Sequence, residues 1–486
     1  MIIRGLDWVT PVLVREYQQV VRSRNFQLMC IIWLVAQLFV SLIYISNIDP
    51  TQASMWLRGP GQEYFTWIMA ALGIIFLLAL PFSTFNRLTR EHRERTLELL
   101  VITGITPRQV ALGFLGVTIT QMLLFLFMSF PFVSFAYLFR GLEMSAVFWW
   151  LYFMTLAALS ANAISLMLAS FCRTPRTASS MRVLFLVGTF IVLGPLLLAF
   201  AELIFRPHRG SIFMSVPTGR DAWIFSSLGA LMAAATVTTS LVFTRSNLLF
   251  ESANRTTLPR LTISGMFTLG GGVLLALGAM TGHALSEEII MAYAVLSLAI
   301  TLLYACLLFS ESNTITPRMA ESIPRHRFLR LLALPFLPGN GTAFLYVVFN
   351  FGLILFLATA ALNLSGASLG GDEFGLLLMV PYSLFFLGFP CLLQRWVRNT
   401  KLRKVYYPVW LLIWFNIVLW TPLIWTKQIS FTSPFSTFPI NASDLSDPNW
   451  RLTLAWRGFV APLLGCLAAV PTIRQNLQNI RNAVRP

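Results

Sequence analysis

The residue types that carry out chemistry in proteins are present in this chain but scattered. His92, His208, His283 and His326 fall in four separate hydrophilic segments, and Cys30, Cys172, Cys306, Cys391 and Cys466 lie singly within or at the ends of apolar runs. Neither a metal site nor a disulfide framework has the spacing it needs. Acidic neighbours occur at Glu287-Glu288, Asp372-Glu373 and Asp444 with Asp447. The first two pairs sit at helix beginnings, where the helix dipole favours a carboxylate, and no spacing ties any of them to an acid/base partner. Glu202 alone lies well inside an apolar run, about one turn from its end, where the side chain can reach water. The phosphate-cradling run G-x-x-x-x-G-K-[ST] does not occur. The chain is therefore expected to be no enzyme, with no metal and no cofactor of its own.

Two hydrophilic segments are more than connectors. The first, Pro11 to Asn25, places Leu13, Val14, Tyr17, Val20 and Val21 at helical spacing, with Arg15, Glu16, Gln18, Gln19, Arg22 and Ser23 on the other face. This predicts a basic amphipathic helix in the membrane interface, its arginines, Arg24 included, turned to anionic headgroups. The second is Asn86 to Gly113, where Thr89 is placed to cap, Glu91 stands four residues before Arg95, and Leu97, Leu100 and Val101 make an apolar stripe. That spacing predicts a short helix over 89–101 with a wet, charged face. Thr103-Gly104 breaks it, and Thr106-Pro107-Arg108-Gln109 carries a capping box with proline at the first helical position. A docking surface for a cytoplasmic partner fits this segment.

The elements that must position these segments follow from composition. The 486 residues are 57% apolar and 11% charged, with a mean hydropathy of +0.73, whereas a water-soluble domain is about a quarter charged. A bilayer core needs about 20 apolar residues per helix, and twelve such runs can be counted: 26–48, 64–85, 110–139, 146–171, 183–205, 222–244, 263–281, 289–309, 342–364, 374–393, 406–426 and 458–473. They lack period-two alternation, so the expected fold is all-α, a polytopic transmembrane helical bundle of about 12 spans. The third run exceeds one straight crossing and calls for tilt or a break at Pro131. Sorting the loops alternately puts 27 of the 35 Lys and Arg, but only 8 of the 19 Asp and Glu, on one side. Both termini are thereby expected in the cytoplasm. Topology accounts for the net charge of +16, and no nucleic acid is expected as partner. Polar residues inside the apolar runs, Gln37, Gln121, Asn162, Asn350 and Asn416, suit interhelical hydrogen bonds, Pro81, Pro131, Pro195, Pro381 and Pro422 suit kinks, and Gly270-Gly271-Gly272 suits close helix contact.

Glu94-Arg95-Thr96-Leu97-Glu98-Leu99-Leu100, followed by Thr103, Pro107 and Leu112-Gly113, resembles the segment between the second and third spans of type-2 ATP-binding-cassette (ABC) exporter permeases. The stretch from Pro11 through Arg15-Glu16-Tyr17 to Arg22-Ser23-Arg24 is similar to their connecting helix, closest to the copper-enzyme-maturation and gliding-motility type permeases. Arg95 stands where glycine is usual, Gly104 where the first turn proline is usual, and Phe114 where a lysine follows Leu112-Gly113. The resemblance covers residues 1 to about 245. It implies an interfacial helix at 1–25, a six-span permease domain at 26–245 with a cytoplasmic coupling helix at 86–109, and leaves 246–486 as a second six-span membrane domain of unassigned role. Within that second domain, 310–341 reads either as a degenerate coupling element or as an interfacial hairpin.

What the resemblance implies for function is a multi-pass permease subunit of an ABC exporter in a bacterial inner membrane. It moves an unidentified substrate with ATP and Mg bound on a separate cytoplasmic ATPase subunit. The lipid bilayer surrounds it, and homo- or hetero-dimerisation with another permease is possible. Glu91, Glu94, Arg95, Thr96, Leu97, Glu98, Leu99, Leu100, Pro107 and Gly113 would carry the coupling, and Pro11, Arg15, Glu16, Tyr17, Arg22 and Arg24 the interfacial helix. The alternative is an ATP-independent transporter or a membrane scaffold that binds another cytoplasmic protein.

Overall fold

A computed structural model describes residues 10–46, 60–94, 105–139, 142, 144–172, 178–183, 185–186, 220–250, 253–281, 287–309, 315–324, 326–365 and 459–484. The runs 374–393 and 406–426, most of 183–205, and Glu202, Pro195, Pro381, Pro422 and Asn416 lie outside them. The described residues are helical, with no strand among them. Seven of their helices are long and apolar enough to cross a bilayer: Phe26–Ser46, Tyr64–Arg93, Pro107–Leu138, Met144–Ser170, Ser226–Leu248, Thr257–Ala276 and Asn340–Leu364. The chain is an α-helical membrane protein. It divides into two compact units, Met1–Leu249 and Phe250–Pro486.

The first unit begins with α1 (Thr10–Val21) and α2 (Arg24–Ser46). α3 (Pro60–Ile74) then runs through a wide π turn, Ile75–Ala79, into α4 (Leu80–Arg93) without a break. The π turn stands just before Pro81, whose missing N–H and bulky ring an α-turn would accommodate poorly. α5 (Pro107–Leu138), α6 (Met144–Ser170) and α7 (Arg220–Leu248) complete the described unit. α5 passes through Pro131 as one helix of 32 residues, about 48 Å long, so its excess over a bilayer core is not taken up by a break. The core is aromatic: Trp33 and Phe26 meet the Phe125 ring edge-on at 6.3 and 6.1 Å, and Phe135 lies 4.7 Å from Phe139 and 5.8 Å from Tyr64. A second cluster, Phe85, Leu88, Val110, Ala111, Phe114, Leu166, Ala169 and Cys172, joins the charged end of α4 to α5 and α6.

The second unit is built on α8 (Thr257–Thr281), α9 (Glu287–Phe309), two short helices α10 (Pro317–Glu321) and α11 (Arg327–Leu332), then α12 (Asn340–Ser365) and α13 (Ala461–Val484). Glycine sets how closely α8 approaches its neighbours. A Cβ at Gly271 would stand 2.6 Å from Leu357 Cδ1, and one at Gly270 would stand 3.1 Å from the Tyr293 ring. Gly272 faces open space instead. Asn350, buried on α12, accepts a 2.7 Å hydrogen bond from Ser264 Oγ of α8, the interhelical role expected of it.

Candidate functional site

The segment that carries the resemblance is framed by the charged end of α4 and the start of α5. The continuous apolar helix from Tyr64 to Arg93 has 30 residues, about 45 Å at 1.5 Å per residue, against a hydrocarbon core of about 30 Å. The last ten or so residues, which hold Arg87, Arg90, Glu91, His92 and Arg93, are therefore surplus to a perpendicular crossing. Thr89 is not a cap. It lies inside α4, its hydroxyl donating to the Phe85 and Asn86 carbonyls at 2.9 and 3.0 Å. The reason is packing: Phe85 and Leu88 are fully buried and carry the helix through the position where capping chemistry alone would begin a new one. Glu94, at the end of α4, is exposed. Arg95, Thr96, Leu97, Glu98, Leu99 and Leu100 lie outside the described residues.

The restart of the chain has the expected geometry. Thr106 is extended at the N-cap, its side chain accepts from the Gln109 N–H, and the Gln109 Oε1 accepts from the Thr106 N–H at 2.8 Å. Pro107 occupies the first helical position, so its missing N–H leaves nothing unsatisfied. Gly113 is buried six residues further on. Arg108 and Arg245 line an open cavity of about 520 Å³ beside this cap, together with Thr106, Pro107, Gln109 and Leu249.

α1 packs against α5. Its residue Leu13 turns towards α5, and Glu16 and Val20 are buried. A Cβ on Gly116 of α5 would meet Leu13 Cδ1 at 2.5 Å. The opposite stripe, Val14, Tyr17 and Val21, is exposed. The apolar residues expected on a single face are thus divided between the bundle and the surroundings. Arg15 bridges α1 to α4 through Glu91, 3.6 Å away, and lies 3.9 Å from Glu16. Glu91 is buried, turned to α1 rather than outward. Burial and the neighbouring Glu91 carboxylate push the Glu16 carboxyl above its usual range, against the pull of Arg15, Arg87 and Arg90. Arg22 and Arg24 are exposed at the turn between α1 and α2, and Pro11 lies in the first turn of α1.

Beneath this bridge lies a polar network that joins three helices. The Arg87 Nη2 donates towards Thr84 Oγ1 at 3.2 Å, Thr118 Oγ1 at 3.3 Å and Gln121 Oε1 at 3.2 Å. Thr84 and Thr118 share a hydroxyl contact at 3.1 Å, and Thr84 donates to Asn162 Oδ1 at 3.4 Å. Gln121 and Asn162 were legible as interhelical donors or acceptors. Arg87 was not, because in sequence it is one more cation in a charged run. The signal that could have found it is its spacing: three residues after Thr84, whose hydroxyl it meets one turn away on the same helix. Together these contacts make the charged end of α4 a stiff continuation of a membrane helix, tied by Arg87 to α5 and by Glu91 to α1. Among the described residues no cluster of His, Cys, Asp and Glu is placed to hold a metal ion. No family model, no curated protein and no solved structure matches the chain.

Proposed function

We propose that the chain is the membrane permease subunit of an ABC exporter, driven by ATP and Mg on a separate cytoplasmic ATPase subunit. In this reading about twelve helices span a bacterial inner membrane and both termini are cytoplasmic. The observation that carries the proposal is the course of the segment resembling the coupling region. It leaves the membrane on an unbroken, internally braced helix and returns through a capping box directly into the next membrane helix. A push on 94–100 then reaches α4 and α5 as rigid bodies, which is what a switch between two packings requires. Glu94, Arg95, Thr96 and Glu98 supply polar contacts to the ATPase, and Leu97, Leu99 and Leu100 the apolar anchors. Glu91, held by Arg15, carries the movement to α1.

The test is a pull-down of the tagged full chain from detergent extract, wild type against Glu98→Arg combined with Leu100→Asp, with ATP hydrolysis assayed in the eluate. An ATPase recovered with wild type and lost with the double variant is the expected result. If gentle crosslinking recovers no ATPase with wild type, the coupling assignment fails, and the segment serves a transporter without ATP or a scaffold.

A further inference from the structure

In the second unit, α11 exposes four large apolar side chains in six residues: Phe328 at 66%, Leu329 at 53%, Leu331 at 70% and Leu332 at 69%. Leu303 and Phe356, on the outer faces of α9 and α12, are exposed to a similar degree, 62% and 68%. Such density is not that of scattered surface leucines. It is also not the mark of a loose loop, because the surrounding segment is built. Ile323, Leu337 and Ile480 form a small buried core with Ile315 and Ala333 against it. Arg330 Nε donates to the Pro324 carbonyl at 3.1 Å and closes the turn between α10 and α11.

The depth of α11 is fixed by a buried arginine. Arg260, fully buried in the first turn of α8, donates to the carbonyls of Pro335 at 3.0 Å, Gly339 at 3.1 Å and Leu337, and to Thr342 Oγ1 at 3.1 Å. The chain just after α11 is thereby pinned to the end of one membrane helix at the point where another, α12, begins. Five residues of chain cover at most about 18 Å, so α11 stays within that reach of the ends of α8 and α12. Charge completes the argument. From Ser322 to Gly371 the sequence has no acidic residue, yet it carries Arg325, His326, Arg327 and Arg330 within six positions.

We infer that α11 is an interfacial anchor that lays Phe328, Leu329, Leu331 and Leu332 among the acyl chains of an anionic leaflet, with its basic residues at the headgroups. This stands apart from the ATPase reading and holds for any transport mechanism. It resolves the two readings of 310–341 in favour of an interfacial element.

The test places the photocrosslinking residue p-benzoylphenylalanine at Leu331 of the full chain, in nanodiscs of phosphatidylcholine alone or mixed with phosphatidylglycerol, and reads adduct masses after illumination. The same probe at Phe39, exposed on α2, is the control for lipid contact. Lipid adducts at Leu331 are expected in both discs. In the mixed discs phosphatidylglycerol is expected to be enriched over its share by about fivefold per headgroup-facing arginine. Arg327→Gln should lower that enrichment while lipid adducts persist. The inference is overturned if Phe39 acquires lipid and Leu331 does not, if labelling shows no preference for phosphatidylglycerol, or if Leu331 in native membranes crosslinks to a protein instead.

Discussion

Replacing Arg260 by methionine removes the side chain that makes four of the hydrogen bonds holding the turn from Pro335 to Thr342. The side chain donates four hydrogen bonds, three to main-chain carbonyls and one to the Thr342 hydroxyl, and its guanidinium lies 5.8 Å from the centre of the Tyr346 ring. A hydrogen bond from a charged donor contributes about 1.5–3 kcal/mol, so four bonds taken separately would give about 6–12 kcal/mol. That overstates the loss, since Thr342 keeps its own bond to the Gly339 carbonyl at 2.9 Å and the turn can relax towards water. Leaving a buried neutral acceptor without its donor costs about 1–3 kcal/mol, so a total of about 3–5 kcal/mol over the four acceptors, partly rescued by Thr342, is the better bound here. For a unit the size of Phe250–Pro486, at about 2–4 °C per kcal/mol, that is a fall in midpoint of about 6–20 °C. The assay is thermal unfolding of the detergent-purified chain, with hydrogen exchange read over 333–345. Arg260→Lys should fall between, because an ammonium cannot reach the carbonyls on both sides as the planar fork does. A midpoint for Arg260→Met within about 2 °C of wild type, less than 1 kcal/mol on the same scale, would refute the reasoning, as would unchanged exchange in the turn.

Two further perturbations probe other junctions. Gly341→Ala directs a Cβ to 2.7 Å from the Ile473 Cα and the Thr472 carbonyl. These are main-chain atoms that cannot swing aside, so α12 and α13 must separate, with a loss of about 1–3 kcal/mol read as a lower midpoint and faster exchange in 470–480. Glu16 reports on α1: its carboxyl is raised in the docked state by burial and Glu91, so docking favours the protonated form. The sign follows that α1 is held most firmly below the ordinary carboxylate value and is loosened as pH rises through the raised one. Exchange in 10–21, corrected for intrinsic rates, should quicken along that interval in wild type and lose its pH dependence in Glu16→Gln; a pH-independent wild type would contradict the assignment.

The sequence made the helical membrane class legible because the signal is additive: each apolar run of about 20 residues is read without knowing its neighbours. The capping box at Thr106, Pro107 and Gln109 was legible for the same reason, being complete within four residues. What stayed hidden depends on partners distant in the chain. Thr89 satisfies every local rule for a cap, and only the burial of Phe85 and Leu88 against α5 and α6 decides that the helix runs through it. Arg260 follows a proline at the start of an apolar run and reads as a topology-setting flank; its carbonyl partners lie 75 to 79 residues away. On α1, Leu13 and Val14 are both apolar, and periodicity alone cannot tell that one meets Gly116 while the other is exposed.

The two buried arginines differ in what their surroundings allow. Arg260 is surrounded by main-chain carbonyls of a single turn, and a cluster of that kind has one arrangement, because the carbonyls are fixed by the helix and turn they belong to. Arg87 is met by side chains from α4 and α5, Thr84, Thr118 and Gln121, with Asn162 of α6 one bond further on. Hydroxyls and amides rotate, and each can exchange one partner for another without unfolding a helix. The Nε and Nη1 of Arg87 and the Nε2 of Gln121 are buried without a hydrogen-bond partner, so donors remain for a second arrangement of the same helices.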